Sequence, residues 1–195
     1  MTEILRPALV LFASLTVLTG IAYPALVTAI GQAVFPGAAT GSLIHDGEQV
    51  LGSTRVGQAF SDPRFFWSRP SATGPVPYNA AASTGSNLGP SNPALHEAVA
   101  ARIETLRTAG GPAGPVPADL VTTSGSGLDP HVSPAAANYQ LARVAQARGL
   151  SEERVRELID AHTEGRSFGL LGEPRVNVLL LNLELERIDS SSERE

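Results

Sequence analysis

A stretch without charge constrains this chain more than any other feature. From Pro7 to Ile30 the sequence reads PALVLFASLTVLTGIAYPALVTAI, in which no side chain is charged near neutral pH. As a helix rising ~1.5 Å per residue, it would extend roughly 36 Å, enough to cross a hydrocarbon layer of ~30 Å. A core helix of a water-soluble domain keeps a polar face, and this run has none. Thr16 and Thr19 can return their hydroxyls to carbonyls one turn earlier, which makes them tolerable in lipid. Pro24 falls near the far end, where a missing N–H costs least, and the neighbouring Tyr23 suits a membrane–water interface. The expectation is a transmembrane helix over 7–30. The competing reading is a cleaved export signal ending at the small residues Val27-Thr28-Ala29, although the apolar cores of such signals run only about 7–15 residues.

The flanks set an orientation. Arg6 and the α-amino group lie before the span, and the next basic side chain is Arg55. Positive charge is retained on the cytoplasmic side, so residues 1–6 are expected inside and everything after the span outside a plasma (inner) membrane. The span is uncharged and Glu3 offsets Arg6, so the net charge of −5 belongs to the part beyond it. All 14 basic residues are Arg, and there is no Lys and no Cys. Without Cys there is no thiolate nucleophile, zinc cluster or disulfide framework; without Lys there is no phosphate loop of the Walker type and no Schiff base. Acidity without a basic run argues against nucleic acid as a partner.

Beyond the span, residues 31–45 are small and punctuated by Gly and Pro, and read as a connector. Residues 46–188 contain no linker or repeat that would divide them and read as one mixed α/β domain, class α+β, outside the cytoplasm. Residues 189–195 are polar and are expected to be disordered. Val50 to Phe60 predicts one or two short strands. Ser91-Asn92-Pro93 predicts a helix start, with Leu95, Val99, Ile103 and Leu106 forming an apolar stripe. Asp119 to Thr123 predicts a strand. Ser133-Pro134 opens a second helix that Gly149 ends, and Ser151 caps a third, with Glu152 and Glu153 at its positive end. Arg175 to Leu183 is apolar enough to predict a strand buried on both faces.

Several clusters invite a chemical reading. Two loops, Ser83 to Pro93 and Thr122 to His131, are rich in Gly, Ser, Asn and Pro. Such loops either present N–H groups to an anion or form tight structural turns. Ser126, Asp129 and His131 offer a thin hydrolase constellation, but G-x-S-x-G is absent and Asp129 sits only two residues from His131. His45, His96, His131 and His162 are scattered, so no metal site is expected. Phe65-Phe66-Trp67 followed by Arg69 reads either as a docking patch built on Phe66, Trp67 and Arg69 or as a core cluster with Arg69 paired to a loop carboxylate. Three classes of function stay open on the residues alone: a membrane-anchored transporter subunit, an anchored hydrolase, and an exported ligand-binding module.

Read in order, the clusters resemble the C subunit of the Kdp potassium-transporting ATPase over nearly the whole chain. The matching stretches are Gly57-Gln58-Ala59-Phe60, Phe66-Trp67-Ser68-Arg69-Pro70-Ser71-Ala72, the run from Ser86 to Pro93, and Val116 to Thr122. They continue with Ser124-Gly125-Ser126-Gly127-Leu128-Asp129-Pro130-His131, Gln140, Arg143-Val144-Ala145, and Glu173-Pro174-Arg175-Val176-Asn177-Val178-Leu179. The resemblance implies a non-catalytic accessory subunit of an ATP-driven, high-affinity potassium uptake complex. Its partners would be a potassium-channel-like subunit, a P-type ATPase subunit and a small single-span subunit. The implied role is assembly, together with a catalytic-chaperone effect that raises the ATP affinity of the pump subunit. The resemblance also implies nucleotide contacts at Gln140 and at Ser124, Gly125, Ser126 and Gly127, so ATP is the implied ligand and K⁺ the transported ion. The orientation argument competes with those contacts, because it puts Gln140 on the side where cytoplasmic ATP is not available.

Overall fold

The uncharged run builds one continuous helix, Glu3–Val34, long and apolar enough to cross a membrane and with no buried residue in its apolar window. In the computed structural model, which describes residues 2–192, this helix extends beyond 7–30 at both ends. It consists of α1 (Thr2–Val17), a π-helical turn (Leu18–Ala22) and α2 (Tyr23–Val34). Pro24 accounts for the π turn. It has no N–H to give the carbonyl one turn back, and the Tyr23 N–H bonds to the Leu18 carbonyl five residues earlier. The Thr16 and Thr19 hydroxyls donate to the carbonyls of Phe12 and Leu15 at 2.8 and 2.7 Å, as lipid requires.

Phe35 leaves helical geometry and Pro36 opens the short α3 (Pro36–Ala39). An antiparallel hairpin follows, β1 (Leu43–Asp46) with β2 (Gln49–Ser53), turning at Gly47 with φ +58 and bulged opposite Ile44 and His45. One predicted strand region therefore lies in β2, while three of the four residues of its partner β1 lie in the stretch 31–45 read as a connector. The chain divides into two units at Ser53/Thr54.

The second unit begins with a long irregular segment. Side chains organise it where no ladder does. Ser71 Oγ accepts the Tyr78 N–H at 2.9 Å and donates to the Gly127 carbonyl at 2.7 Å. Thr73 Oγ1 accepts the Asn79 N–H at 2.9 Å, and Asn79 Nδ2 donates to the Gly74 carbonyl at 2.8 Å. A 3₁₀ turn (Ala80–Ala82) precedes α4 (Pro93–Thr108), which Asn92 caps by accepting the Ala94 N–H. Of the predicted stripe on α4, Leu106 is buried and Leu95, Val99 and Ile103 are half-buried. The strand expected over Asp119 to Thr123 is instead a 3₁₀ turn (Ala118–Leu120) running into an irregular stretch; Pro117 starts the turn and buries Leu120.

β3 (His131–Val132) leads to α5 (Pro134–Arg148), capped by Ser133 and ended by Gly149 in the left-handed region at φ +66. α6 (Glu152–Ala161) starts on Ser151 and ends at His162. β4 (Thr163–Glu164) and β5 (Arg175–Asn177) complete a three-stranded antiparallel sheet in the order β3-β5-β4. The last element, α7 (Val178–Ser192), corrects the strand expected over Arg175 to Leu183, which becomes three residues of strand and then helix. Asn177 makes the switch, its side chain accepting the Leu180 N–H at 3.2 Å. Val178, Leu181, Asn182 and Leu185 then face inward at helical spacing.

The core joins these side chains to Phe66, Trp67, Leu106, Leu120, Val144, Val155, Ile159 and Val176. Arg148 fastens α5 to α7 through Glu186 at 2.7 Å and Asp189 at 2.5 Å, and Arg64 pairs with the same two carboxylates. α7 thus carries Asp189 to Ser192 of the stretch expected to be disordered, while residues 193–195 lie outside the described residues.

Candidate functional site

Gln140 and the Phe66-Trp67 segment form one buried assembly. Two amide side chains grip consecutive peptide units as a neighbouring strand would. From α7, Asn182 Oδ1 accepts the Phe66 N–H at 2.8 Å, and its Nδ2 donates to the Phe66 carbonyl at 3.0 Å. From α5, Gln140 Oε1 accepts the Trp67 N–H at 2.7 Å, and its Nε2 donates to the Trp67 carbonyl at 3.1 Å. Gln140 is 1% exposed and Asn182 2%. Buried polar groups demand partners, and here each amide pair satisfies the other.

Two guanidinium groups complete the assembly. Arg143 lies 4.5 Å from the Trp67 ring centroid and donates to Gln140 Oε1 at 2.7 Å, to the Phe65 carbonyl at 3.0 Å and to the Pro63 carbonyl. Burial, reinforced by the charge of Arg102, pushes its pKa down to about 10, still charged at any physiological pH. Arg102 lies 5.5 Å from the same ring centroid and donates to the Leu120 and Ser68 carbonyls at 3.2 and 3.1 Å. The two cations hold carbonyls and a ring face rather than a ligand.

The second cluster lies around Asp129. His131 Nδ1 is 3.2 Å from Asp129 Oδ1, and the His131 backbone N–H donates to the same oxygen at 3.0 Å. Arg69 pairs with the other oxygen at 3.3 Å. Burial raises the Asp129 pKa, but the two His131 hydrogen bonds and the charge of Arg69 outweigh it and hold the carboxyl below its ordinary value. Ser126 takes no part. Its Oγ accepts the Leu128 N–H at 3.1 Å and faces Ser124 Oγ at 3.5 Å, and no bond to His131 is found among the described residues.

The Ser124–Gly127 loop is bonded to its own chain at several points. The Ser126 carbonyl accepts the Thr84 N–H at 3.0 Å and the Ser83 hydroxyl at 3.1 Å. Gly127 sits at φ +67, where an added Cβ would lie 2.6 Å from the Thr84 carbonyl oxygen, so only glycine fits. Among the described residues no group of three His, Asp or Glu side chains is placed to hold a metal. A groove of about 520 Å³ runs beside α4, lined by Leu88, Leu95, Ala98, Arg102, Val121 and Thr123, with no nucleophile paired to a base.

Phe66 and Trp67 are 0% and 5% exposed, so they fill the core and leave no aromatic face for docking. Of the docking trio only Arg69 reaches the surface, and it is paired with the loop carboxylate Asp129. Asn182 and Arg102 carry no motif in the sequence, and Arg143 enters there only within a stretch that matches the Kdp C subunit. A lone Asn inside the run Leu179 to Leu183 was the available signal, since an amide within an apolar segment implies a buried partner.

The family model described as KdpC, the c chain of a K⁺-transporting ATPase, matches residues 5–187. The chain belongs to the KdpC family. A potassium-transporting ATPase KdpC subunit of Sorangium cellulosum is 66% identical over 183 residues, covering 93% of this chain and 96% of that protein. The subunits of the same name from Herpetosiphon aurantiacus and Burkholderia mallei are 59% and 58% identical, covering 97% and 95% of this chain. The KdpC match takes in both the apolar helix and the mixed α/β unit, so both belong to what the family shares.

Proposed function

We propose that this chain is a membrane-anchored, non-catalytic accessory subunit of an ATP-driven potassium uptake complex. It supports assembly with a potassium-channel-like subunit, a P-type ATPase subunit and a small single-span subunit, and its α+β domain lies outside the cytoplasm. One observation carries this reading. A lipid-length helix is joined to a domain whose polar side chains are used to hold its own backbone, Gln140 foremost.

The Gln140 amide already has partners at both ends, so it acts by holding the Phe66-Trp67 segment. To contact a nucleotide it would have to abandon two buried peptide groups. A catalytic-chaperone effect is therefore exerted through contact with the pump assembly, and ATP stays on the pump subunit. The hydrolase alternative loses its constellation once Ser126 is bonded away from His131. The test is co-purification of the intact chain with a P-type ATPase subunit from native membranes. K⁺ transport with unchanged affinity after the external domain is clipped from the purified complex would refute a role for that domain.

A further inference from the structure

The loop between β4 and β5 exposes the apolar side chains that the rest of the second unit hides. Phe168 is 93% exposed, Leu170 79% and Leu171 64%. Elsewhere in that unit, among the described residues, the only other large apolar side chain so exposed is Val76.

The loop is ordered. Ser167 and Leu171 exchange both backbone bonds, at 2.8 and 2.9 Å, and the Gly169 N–H returns to the Arg166 carbonyl at 3.1 Å. Phe168 occupies the left-handed region at φ +55, a conformation a bulky side chain adopts only under constraint. Glycines at 169 and 172, also at positive φ, let the chain turn tightly on either side. At the base, Arg166 binds both oxygens of Glu173 at 2.7 and 2.8 Å, so the tip carries no free charge.

We infer that Phe168, Leu170 and Leu171 form a preorganised plug that seats in an uncharged apolar pocket on the extracytoplasmic face of a neighbouring membrane subunit of the transporter. This rests on the proposed function, which supplies the neighbour. Charge selects a protein pocket over the lipid surface. Interfacial anchors combine apolar side chains with basic residues drawn to anionic headgroups. Here the two cations at the foot of the loop are both taken, Arg166 by Glu173 and Arg175 by Glu164, so neither is left to draw the tip to a headgroup. A neutral, rigid, apolar tip matches a neutral apolar pocket and loses little freedom on docking.

Two measurements on the full chain, co-expressed with its complex, test this. Phe168→p-benzoylphenylalanine places a photoreactive group at the tip. Irradiated membranes should yield an adduct with a subunit that also co-purifies with the wild-type chain. A lipid adduct, or no adduct while the wild-type chain still co-purifies, overturns the plug. Loss of wild-type co-purification would instead refute the proposed function. The second variant, Phe168→Gly, removes the apolar side chain and relieves the positive φ. The thermal midpoint of the isolated subunit should hold or rise, while retention in the complex falls about 10-fold. A lowered midpoint with unchanged retention would mark Phe168 as merely structural.

Discussion

A buried amide that satisfies both ends of a peptide is costly to remove from either side. Gln140→Leu keeps the volume but strands the Trp67 N–H and carbonyl and takes one acceptor from Arg143. The expected loss is about 2–4 kcal/mol of domain stability, read as a fall in thermal midpoint of the purified chain. A residue whose only task was to touch nucleotide would leave the midpoint in place. Asp129 gives the complementary case. Its folded pKa lies below the unfolded value of 3.8, so the folded state binds its proton less readily. The stability it contributes is present above that value and lost as pH falls through the lower, folded one. Asp129→Asn should therefore destabilise the domain at neutral pH, and denaturation curves of variant and wild type should converge below pH 3.8. A gap that is constant with pH would assign the effect to packing. Pairing of Arg69 with a loop carboxylate was legible in the sequence as one of two alternatives. The partners of Gln140 were not, because they are backbone groups 73 residues away and carry no side-chain signature.

Elements whose ends are written in capping chemistry were legible. Asn92, Ser133, Ser151 and Gly149 mark the termini of α4, α5 and α6 where the structure has them. α7 departs from the expected strand because a largely apolar run such as Arg175 to Leu183 fits a buried strand and a buried helix equally well by periodicity. The deciding feature was Asn177, a polar residue at the switch from strand to helix. Its Oδ1 caps α7 and its Nδ2 donates to the Thr54 carbonyl at 3.0 Å. Asn177→Ala should cost about 1–2 kcal/mol and speed hydrogen exchange at the Leu180 amide. Asn177→Ser should restore part of the protection, because a hydroxyl still caps. If the two variants lose equal protection, Asn177 matters through Thr54 and not as a cap. The strand expected over Asp119 to Thr123 failed for a similar reason, since Pro117 imposes a turn that short-range β propensity does not reveal.

For the whole molecule, the division that matters is between a long apolar helix and an acidic domain, and the placement of charge along the chain marks it. That placement also bears on the proposed orientation. The bias rests on Arg6 and the amino terminus against a far flank without a basic residue until Arg55. Protease added to intact spheroplasts should remove the domain, and the same treatment should spare it if the domain lies inside. Because topology follows the basic-residue bias, the orientation should also respond to moving that bias. Arg6→Glu combined with Ala38→Arg and Thr40→Arg removes the basic side chain before the span and adds two after it, leaving the apolar window untouched. A substantial share of these chains should insert inverted, become protected in spheroplasts and fail to join the complex. If they insert as the wild type does, the neighbouring subunits, and not the flanking charges, set the orientation of this helix.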